Sequence, residues 1–471
     1  MTESIKGKNM SGSIKTDLNE IREEILHLVR PTDAEKTKLE TVRQQIIADI
    51  NRIAKLQEQH EIIPMSVGSA ERNTWLHGNH DIDIFISYPE ELTFEEFHEK
   101  SRRLLEEMAK TGDSWEDRHS EHPYIHIQKD GFEVDLVPCF RVKSGAEIKS
   151  AVDRTPFHCA FIKENIDGLE EDVLILKQFM KGIGVYGSEV RTGGFSGYLT
   201  EILIIYYGGF ENALKNAAEW KAGTVIDLAK HQTLDHDSPL VVVDPTDPKR
   251  NVAAALSLTK FSIFVDRARS FLKNPNRDYF TKKEFAPLSV KAYADLMKKR
   301  GTKMIGISFK TPQKAEDTLY PQLFRLEKSL EELLVRNEFT VLNTFSWSEK
   351  QTSMIIIELT NADLPPLQRR IGPPVWNESN ADLFCKKYKN KPETFSFKIE
   401  NERYVAEIPR KYKTAEALIE DMIFKEAALG RHVRESVKEG YILMQEEDIR
   451  KIQDTEFWKF MNEKLTAQIE P

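Results

Sequence analysis

Two aspartates separated by one residue begin an apolar run, and residues 81–86 read Asp-Ile-Asp-Ile-Phe-Ile. This alternation predicts a strand, in which residues two apart project from the same face. Asp81 and Asp83 should then stand side by side, while Ile82 and Ile84 enter the core. Neighbouring carboxylates repel, and each raises the pKa of the other. A divalent metal ion that carries a phosphate would supply the missing positive charge.

A small-residue turn and a third aspartate flank this strand. Gly68 and Ser69 open the turn, residues 70–75 favour a short helix, and such turns present backbone N–H groups to phosphates. Residues 132–137 predict a strand that follows an Asp-Gly hairpin turn and carries Asp135. The set predicts phosphoryl transfer to a hydroxyl, with two Mg²⁺ ions on Asp81, Asp83 and Asp135. An acidic, solvated hairpin is the alternative, but the turn and the third aspartate favour the metal site.

Three other patterns favour structural roles. Residues 182–187 match G-x-G-x-x-G, but a dinucleotide site requires a preceding strand, and residues 174–181 predict a helix. Several histidines have no standard zinc spacing and favour surface or packing roles: His77, His80, His119, His122 and His126. The cysteines, Cys139, Cys159 and Cys385, contain no Cys-x-x-Cys pair, so neither a zinc ribbon nor a disulfide framework is expected.

Composition narrows the class of protein. The 471 residues suffice for two to four domains. The formal net charge of −9 at pH 7 argues against nucleic-acid binding by bulk positive charge, although a local basic groove is compatible with it. The sequence contains no run of 18 apolar residues, so no membrane helix is predicted. The polar N-terminus lacks a signal-peptide pattern, and we therefore expect a cytoplasmic protein. Basic runs with tyrosine at 386–391 and 410–413 indicate either a solvated face or RNA contact.

Helical periodicity over residues 34–59 and 94–110 frames the Asp-x-Asp strand. Helical patterns dominate residues 156–275, and strands alternate with helices from residue 276 onward. The sequence therefore predicts an α+β multidomain protein with four segments: a disordered extension (1–16), a catalytic domain (17–155), a helical central domain (156–275) and an α/β region (276–471).

With these motifs, the chain resembles the archaeal-type (class I) CCA-adding tRNA nucleotidyltransferases of the DNA polymerase β-like superfamily. The class-specific motifs are Ser-Ala-Val-Asp-Arg-Thr-Pro-Phe-His at 150–158 and Lys-Arg-Asn-Val-Ala-Ala at 249–254. Further matching segments follow in family order: 68–75, 81–85, 121–124, 134–139, 194–198, 243–245, 319–323 and 429–433.

The resemblance implies a homodimer with a polymerase β-like head, a helical neck, and an α/β body and tail that bind tRNA. It implies that Ser69 and Arg72 contact the triphosphate, while the three aspartates hold two Mg²⁺ ions. It further implies that His158, Lys177 and Tyr186 complete the ATP/CTP site, and that Arg250 reads the incoming base together with the RNA backbone. The expected reaction is template-independent addition of C, C and A to the 3′ end of tRNA.

Two alternatives remain at this point. One is a poly(A)- or oligoadenylate-type nucleotidyltransferase of the same superfamily, which the Gly-Ser and Asp-x-Asp motifs alone would equally suit. The other is a non-catalytic RNA-binding relative, which has no chemical need for all three aspartates.

Overall fold

The computed structural model describes residues 11–119, 123–232 and 237–467. Residues 1–10 of the predicted disordered extension lie outside the described part, as do residues 120–122, which include the start of the 121–124 motif. The described residues form two compact units, one up to Lys283 and one from Glu284 onward. Among the described residues, no helix has the length and apolar character needed to cross a membrane.

The first unit is built on a five-stranded sheet with the order β1-β2-β5-β4-β3. Its strands are β1 (Ile63–Val67), β2 (Asp81–Pro89), β3 (Ser114–His119), β4 (Pro123–Lys129) and β5 (Phe132–Arg141). β2 and β5 run parallel, and the other neighbours pair antiparallel. The predicted hairpin is confirmed: Asp130 and Gly131, which join β4 to β5, both have positive φ, as tight two-residue turns require.

Helices of the first unit cover this sheet and extend beyond it. They are α1 (Ser11–Val29), α2 (Asp33–Leu56), α3 (Gly68–Glu71), α4 (Phe94–Ala109), α5 (Thr155–Asn165), α6 (Glu170–Gly182), α7 (Gly197–Tyr207), α8 (Phe210–Ala217) and α9 (Leu258–Lys273), with 3₁₀ turns at Ala151–Arg154 and Arg277–Phe280. α1 already begins at Ser11, inside the stretch for which the sequence predicts disorder. Side chains of α2, α4 and the sheet form one core, and those of α6, α7 and α9 form another.

A small sheet lies within the segment that the sequence predicts as helical. It comprises β6 (Thr224–Asp227), β7 (Leu240–Asp244) and β8 (Asp247–Asn251), with β7 in the centre. Residues 240–244 are all buried, so they lack the apolar/polar alternation that reveals a half-exposed strand. α9 follows this sheet and begins at Leu258, where the Ser257 side chain accepts a hydrogen bond from the Lys260 N–H.

The second unit contains two antiparallel sheets, ordered β10-β11-β9-β15 and β12-β14-β13. The strands are β9 (Lys303–Lys310), β10 (Thr340–Ser348), β11 (Thr352–Asn361), β12 (Leu367–Pro374), β13 (Ser396–Glu400), β14 (Arg403–Pro409) and β15 (Tyr441–Met444). The helices are α10 (Val290–Arg300), α11 (Glu316–Arg336), α12 (Glu378–Tyr388), α13 (Ala415–Met422), α14 (Arg431–Glu439), α15 (Glu446–Ile449) and α16 (Thr455–Thr466). The predicted α+β multidomain class is confirmed.

A buried carboxylate holds the turn that leaves β5. Asp153 has no exposed surface, and it accepts backbone N–H bonds from Phe140, Lys149 and Ser150 at 2.8, 3.0 and 2.7 Å. Buried N–H groups without a partner each cost about 1–3 kcal/mol. Asp153 therefore fixes the path from the sheet into α5.

Replacing Asp153 with alanine leaves these three N–H groups without a hydrogen-bond partner. We expect Asp153→Ala to lower the free energy of unfolding by about 3 kcal/mol, measured by urea titration. Asp167→Ala, at an exposed aspartate of the same unit, is the control and should leave the unfolding midpoint unchanged. Equal midpoints for both variants would contradict this role for Asp153.

Candidate active site

The parallel pairing of β2 and β5 brings the predicted metal ligands together. Asp83 lies directly opposite Asp135 in the register, and Asp81 lies opposite Glu133; neighbouring strands are about 4.8 Å apart. Burial raises the pKa of Asp83 to about 6, with further contributions from the charges of Asp135 and Asp81. Burial also raises the pKa of Asp81, together with the charge of Glu133. Negative charge is thus concentrated around Asp81, Asp83 and Asp135.

The Gly68 backbone packs against the Asp83 carboxylate. Gly68 has φ +72°, and a Cβ atom built on it would lie 1.9 Å from Asp83 Oδ2. Val67 pairs with Asp83 in the sheet, so β1 delivers the turn to this position. Gly68 and Ser69, predicted to form a turn, instead begin α3, which spans only Gly68–Glu71, so the helix predicted for residues 70–75 ends at Glu71. Ser69, the next residue, is therefore close to the aspartates.

His126 contacts the third aspartate. It lies opposite Asp135 on β4, and its Nδ1 is 2.7 Å from Asp135 Oδ1. The side chain is buried. The sequence favours a packing or surface role for this histidine and does not predict its contact with Asp135. The available signal was its position between the buried Ile125 and Ile127, which turns it toward the face of the sheet that carries Asp135.

The cationic residues predicted for the triphosphate meet at a buried glutamate. Glu201 of α7 has no exposed surface, and its Oε1 accepts hydrogen bonds from Arg72 Nε, at 3.0 Å, and from the Thr74 hydroxyl. Lys177 Nζ donates to the Thr74 carbonyl at 2.7 Å and lies 3.9 Å from Glu201 Oε1. Burial lowers the pKa of Lys177 to about 8.

Tyr186 belongs to the same group. A Cβ atom built on Gly197 would lie 3.1 Å from the Tyr186 hydroxyl and 3.8 Å from Lys177 Nζ, so both polar atoms face the start of α7. Burial raises the pKa of Tyr186, which stays a neutral phenol. Glu201 is not among the site residues that the sequence predicts. Its signal was the single acidic side chain within the otherwise apolar stretch 199–207.

The buried carboxylate of Asp244 contacts the two remaining predicted residues, His158 and Arg250. Asp244 Oδ2 is 2.9 Å from His158 Nε2 and accepts a hydrogen bond from Arg250 Nη1 at 2.7 Å. The Tyr198 hydroxyl donates to Oδ1 at 3.2 Å, and its ring stacks on His158 with a centroid distance of 4.0 Å. Burial raises the pKa of Asp244, but the hydrogen bonds from His158, Thr246 and Arg250 outweigh burial and hold that pKa well below its usual range.

The structure thus arranges the predicted residues in three groups: Asp81, Asp83 and Asp135 with Ser69; Arg72, Lys177 and Tyr186 around Glu201; and His158 and Arg250 around Asp244. Within the described residues, no three or more His, Cys, Asp or Glu side chains form a ready-made metal cluster. The roles of these residues as metal and nucleotide ligands remain predictions.

The close approach of Gly68 to Asp83 generates a sharp test. In Gly68→Ala the new methyl group must displace the Asp83 carboxylate, and a shift of about 1 Å at a reacting centre can cost a hundredfold in rate. We expect turnover to fall by about that factor in a nucleotide-incorporation assay. Gly78→Ala is a matched control: Gly78 has φ +74°, but its Cβ atom would meet nothing within 4 Å. If both variants lost turnover equally, backbone strain rather than displacement would be the cause.

The raised pKa of Asp83 predicts a pH-dependent stability. Because the folded-state pKa, about 6, exceeds the ordinary value of 3.8, the folded protein loses stability as pH rises between these values. In EDTA, Asp83→Asn should therefore be more stable than wild type at pH 7.5, by an amount on the order of 2–3 kcal/mol, and equal to it below pH 4.

Asp49→Asn should behave in the opposite way. Burial raises the pKa of Asp49, but Lys129 and Arg52 outweigh it and lower that pKa overall. Its charge therefore stabilises the fold at neutral pH, and that contribution is lost as pH falls below about 4. Thermal melts at both pH values measure the two effects, and a destabilised Asp83→Asn at pH 7.5 would contradict the electrostatic account.

Three protein-family models match successive segments of the chain. Residues 65–158 match the family described as nucleotidyltransferase domain, residues 171–281 match tRNA nucleotidyltransferase, second domain, and residues 300–446 match CCA-adding enzyme, C-terminal domain. The first two matches together contain all nine predicted site residues.

Curated relatives are similar over nearly the whole chain. The CCA-adding enzyme of Methanosarcina acetivorans is 46% identical over 437 residues, which cover 93% of this chain and 96% of that protein. The CCA-adding enzyme of Halobacterium salinarum is 37% identical, with 90% and 93% covered. A solved structure of the Cid1 poly(U) polymerase with Mg 3′-dATP bound is 12% identical, with a TM-score of 0.44 over 58% of this chain and 99% of that one.

Proposed function

The chain belongs to the archaeal-type CCA-adding enzymes, and from this premise we propose that its first unit carries the catalytic site for adding C, C and A to the 3′ end of immature or damaged tRNA. The substrates are CTP and ATP, no template is read, and pyrophosphate is released. The observation that carries the proposal is the opposition of Asp83 and Asp135 on parallel strands beside the Gly68 turn.

The donor set suits Mg²⁺. Asp81, Asp83 and Asp135 offer carboxylate oxygens, which are the ligands that Mg²⁺ takes in proteins. Burial and mutual repulsion raise the pKa of Asp83, so a cation between these groups relieves an existing cost. We propose that they hold two Mg²⁺ ions, which would supply the positive charge needed to activate the RNA 3′ hydroxyl and to stabilise the departing pyrophosphate. His126 orients Asp135 through its Nδ1.

The residues around Glu201 form the proposed triphosphate site. Arg72 and Lys177 bring two positive charges and Glu201 one negative charge, so the group attracts an anion. Glu201 fixes the Arg72 guanidinium before the nucleotide arrives, which lowers the ordering cost of binding. Ser69 and the neutral Tyr186 hydroxyl add uncharged donors.

Arg250 and His158 form the proposed base site. The Arg250 side chain is 34% exposed, so the guanidinium reaches from buried Asp244 toward solvent. A cavity of about 310 Å³ adjoins Arg250 and is lined also by Ser188, Ser196 and Ala255. A guanidinium in this position can donate to the acceptors that cytosine and adenine both present, whereas guanine and uracil present different edges.

The second unit is the proposed tRNA-binding region. The basic run 386–391 lies at the end of α12, and Lys387 Nζ lies 5.2 Å from the centroid of the Tyr388 ring. The indole of Trp376 is 72% exposed and suits stacking on a base. We further propose that the protein acts as a homodimer in the cytoplasm. In this proposal the head ends near residue 155, the neck ends near residue 275, and the body and tail follow.

Extension of a tRNA that ends at the discriminator base tests the function. With CTP and ATP, we expect the wild-type protein to add C, C and A in that order, and Asp135→Ala to abolish addition while tRNA affinity stays within a few-fold, since Asp135 acts on the metal and not on the RNA. Gel analysis of the products measures addition, and filter binding measures affinity.

Asp167→Ala serves as the control and should extend tRNA like the wild type. Addition of A alone, or equal extension of oligonucleotides unrelated to tRNA, would instead indicate a poly(A)-type enzyme. Unchanged turnover in Asp135→Ala would refute the metal assignment.

A further inference from the structure

The buried carboxylate of Asp244 links three elements of the first unit. We propose that Asp244 is a positioning residue for nucleotide choice, because it holds the Arg250 guanidinium in one direction beside the base cavity. The proposal rests on the proposed function, in which Arg250 contacts the incoming base. It adds a residue that touches neither nucleotide nor metal.

The two oxygens of Asp244 have separate partners. Oδ1 accepts from the Thr246 N–H and hydroxyl, both at 2.9 Å, and from the Tyr198 hydroxyl at 3.2 Å. Oδ2 accepts from Arg250 Nη1 at 2.7 Å and lies 2.9 Å from His158 Nε2. One oxygen therefore anchors the carboxylate to its own turn and to α7, and the other orients the two residues that face the nucleotide.

Because Asp244 is anchored in this way, the fold itself sets the direction of the Arg250 side chain. Asp244 is fully buried at the end of β7, and Arg250 projects from the neighbouring strand β8. A long side chain left alone on a strand samples many rotamers, and fixing it during binding costs entropy. Asp244 removes this freedom beforehand. It engages one nitrogen of a guanidinium that has five N–H donors, so donors remain for a base edge.

Choice between bases depends on that fixed direction. Pyrimidines such as cytosine and uracil differ little in size, so a pocket separates them by hydrogen bonds rather than by shape. A guanidinium free to turn can find acceptors on either base. A guanidinium held by Asp244 presents its donors along one line only, and the wrong base then leaves them unpaired.

Asp244→Asn tests the proposal with little change in volume. An amide offers one acceptor oxygen and one NH₂ group. Whichever way it turns, NH₂ faces donors: either Arg250, or the Thr246 and Tyr198 groups. We expect the preference for CTP over UTP, measured as the ratio of kcat/KM values on tRNA lacking CCA, to fall about tenfold or more, the effect of releasing one charged hydrogen bond. Turnover of CTP itself should fall less.

Asp247→Asn is a matched structural control. Asp247 lies three residues away in the same hairpin, is buried, and pairs with Arg154 Nε at 2.9 Å. Its replacement also removes a buried charge pair, so thermal stability should fall in both variants. Nucleotide preference should change only in Asp244→Asn. An equal loss of preference in Asp247→Asn would reduce Asp244 to a structural residue and overturn the proposal.

A double variant tests whether Asp244 acts through Arg250. Arg250→Ala alone should lose most of the CTP preference, and adding Asp244→Asn should lower it no further. Independent, additive losses would overturn the positioning role. If Asp244→Asn fails to fold, Asp244→Glu keeps the charge but moves the carboxylate by one methylene. Loss of preference in that variant supports the proposal, and wild-type preference contradicts it.

Failure of the inference is distinguishable from failure of the proposed function. If the wild-type protein does not add CCA to tRNA, the proposed function fails and the base site on which Asp244 acts fails with it. If the wild type adds CCA and Asp244→Asn keeps its CTP/UTP ratio within twofold, the function stands and the inference alone is overturned.

Discussion

The proposed catalytic site depends on the parallel pairing of β2 with β5, which forces the like charges of Asp83 and Asp135 into opposition. The side chains on the other face stabilise this pairing. Ile82, Ile84, Val134 and Leu136 are at most 1% exposed, and burial of each such side chain contributes about 1.5–3 kcal/mol. Their sum exceeds the cost of burying the Asp83 charge beside Asp135 and Asp81, the two effects that raise the pKa of Asp83. The strand pair is thus stable because one face is apolar, while the other face carries the charges that are proposed to bind metal.

The positive charges of the site come from outside this strand pair and are fixed by two further carboxylates. Glu201 on α7 holds Arg72 and Lys177, and Asp244 on β7 holds Arg250. Each carboxylate is fully buried, and its burial cost is offset by hydrogen bonds and, at Glu201 Oε2, by the ion pair with Arg72 Nη2 at 3.0 Å. The two networks separate the proposed tasks: one presents cations to phosphates, and the other presents a guanidinium to a base.

The sequence predicts those parts of the site whose signals are local. Asp81 and Asp83 lie two residues apart on one strand, and the Asp130–Gly131 turn has a characteristic composition, so both follow from short-range rules. The assignments of Arg72, Lys177 and Arg250 came from the resemblance to a family, and the structure adds where their side chains are held. The sequence does not predict His126, Glu201 and Asp244 as site residues, because their contribution depends on partners that only folding brings close.

The separation between Glu201 and its partners illustrates the limit. Arg72 lies 129 residues before Glu201, and in the sequence this glutamate is only a charge that interrupts an apolar helix. β7 was missed for a related reason: a strand buried on both faces has no period of two. In each case the informative property is complementarity between distant segments, which a single sequence does not display.

Holding Arg250 and Arg72 by buried carboxylates has a functional consequence that a solvent-exposed ion pair would lack. Exposed pairs exchange partners readily and contribute little, whereas a buried carboxylate that loses its partner is left with an uncompensated charge. In the proposed roles, each guanidinium therefore stays in place while nucleotides bind and leave. An enzyme that reads no template recognises a base through donors held in fixed directions, here those of Arg250 together with the RNA backbone. Under this proposal, the rigidity that Asp244 provides serves nucleotide choice as well as stability.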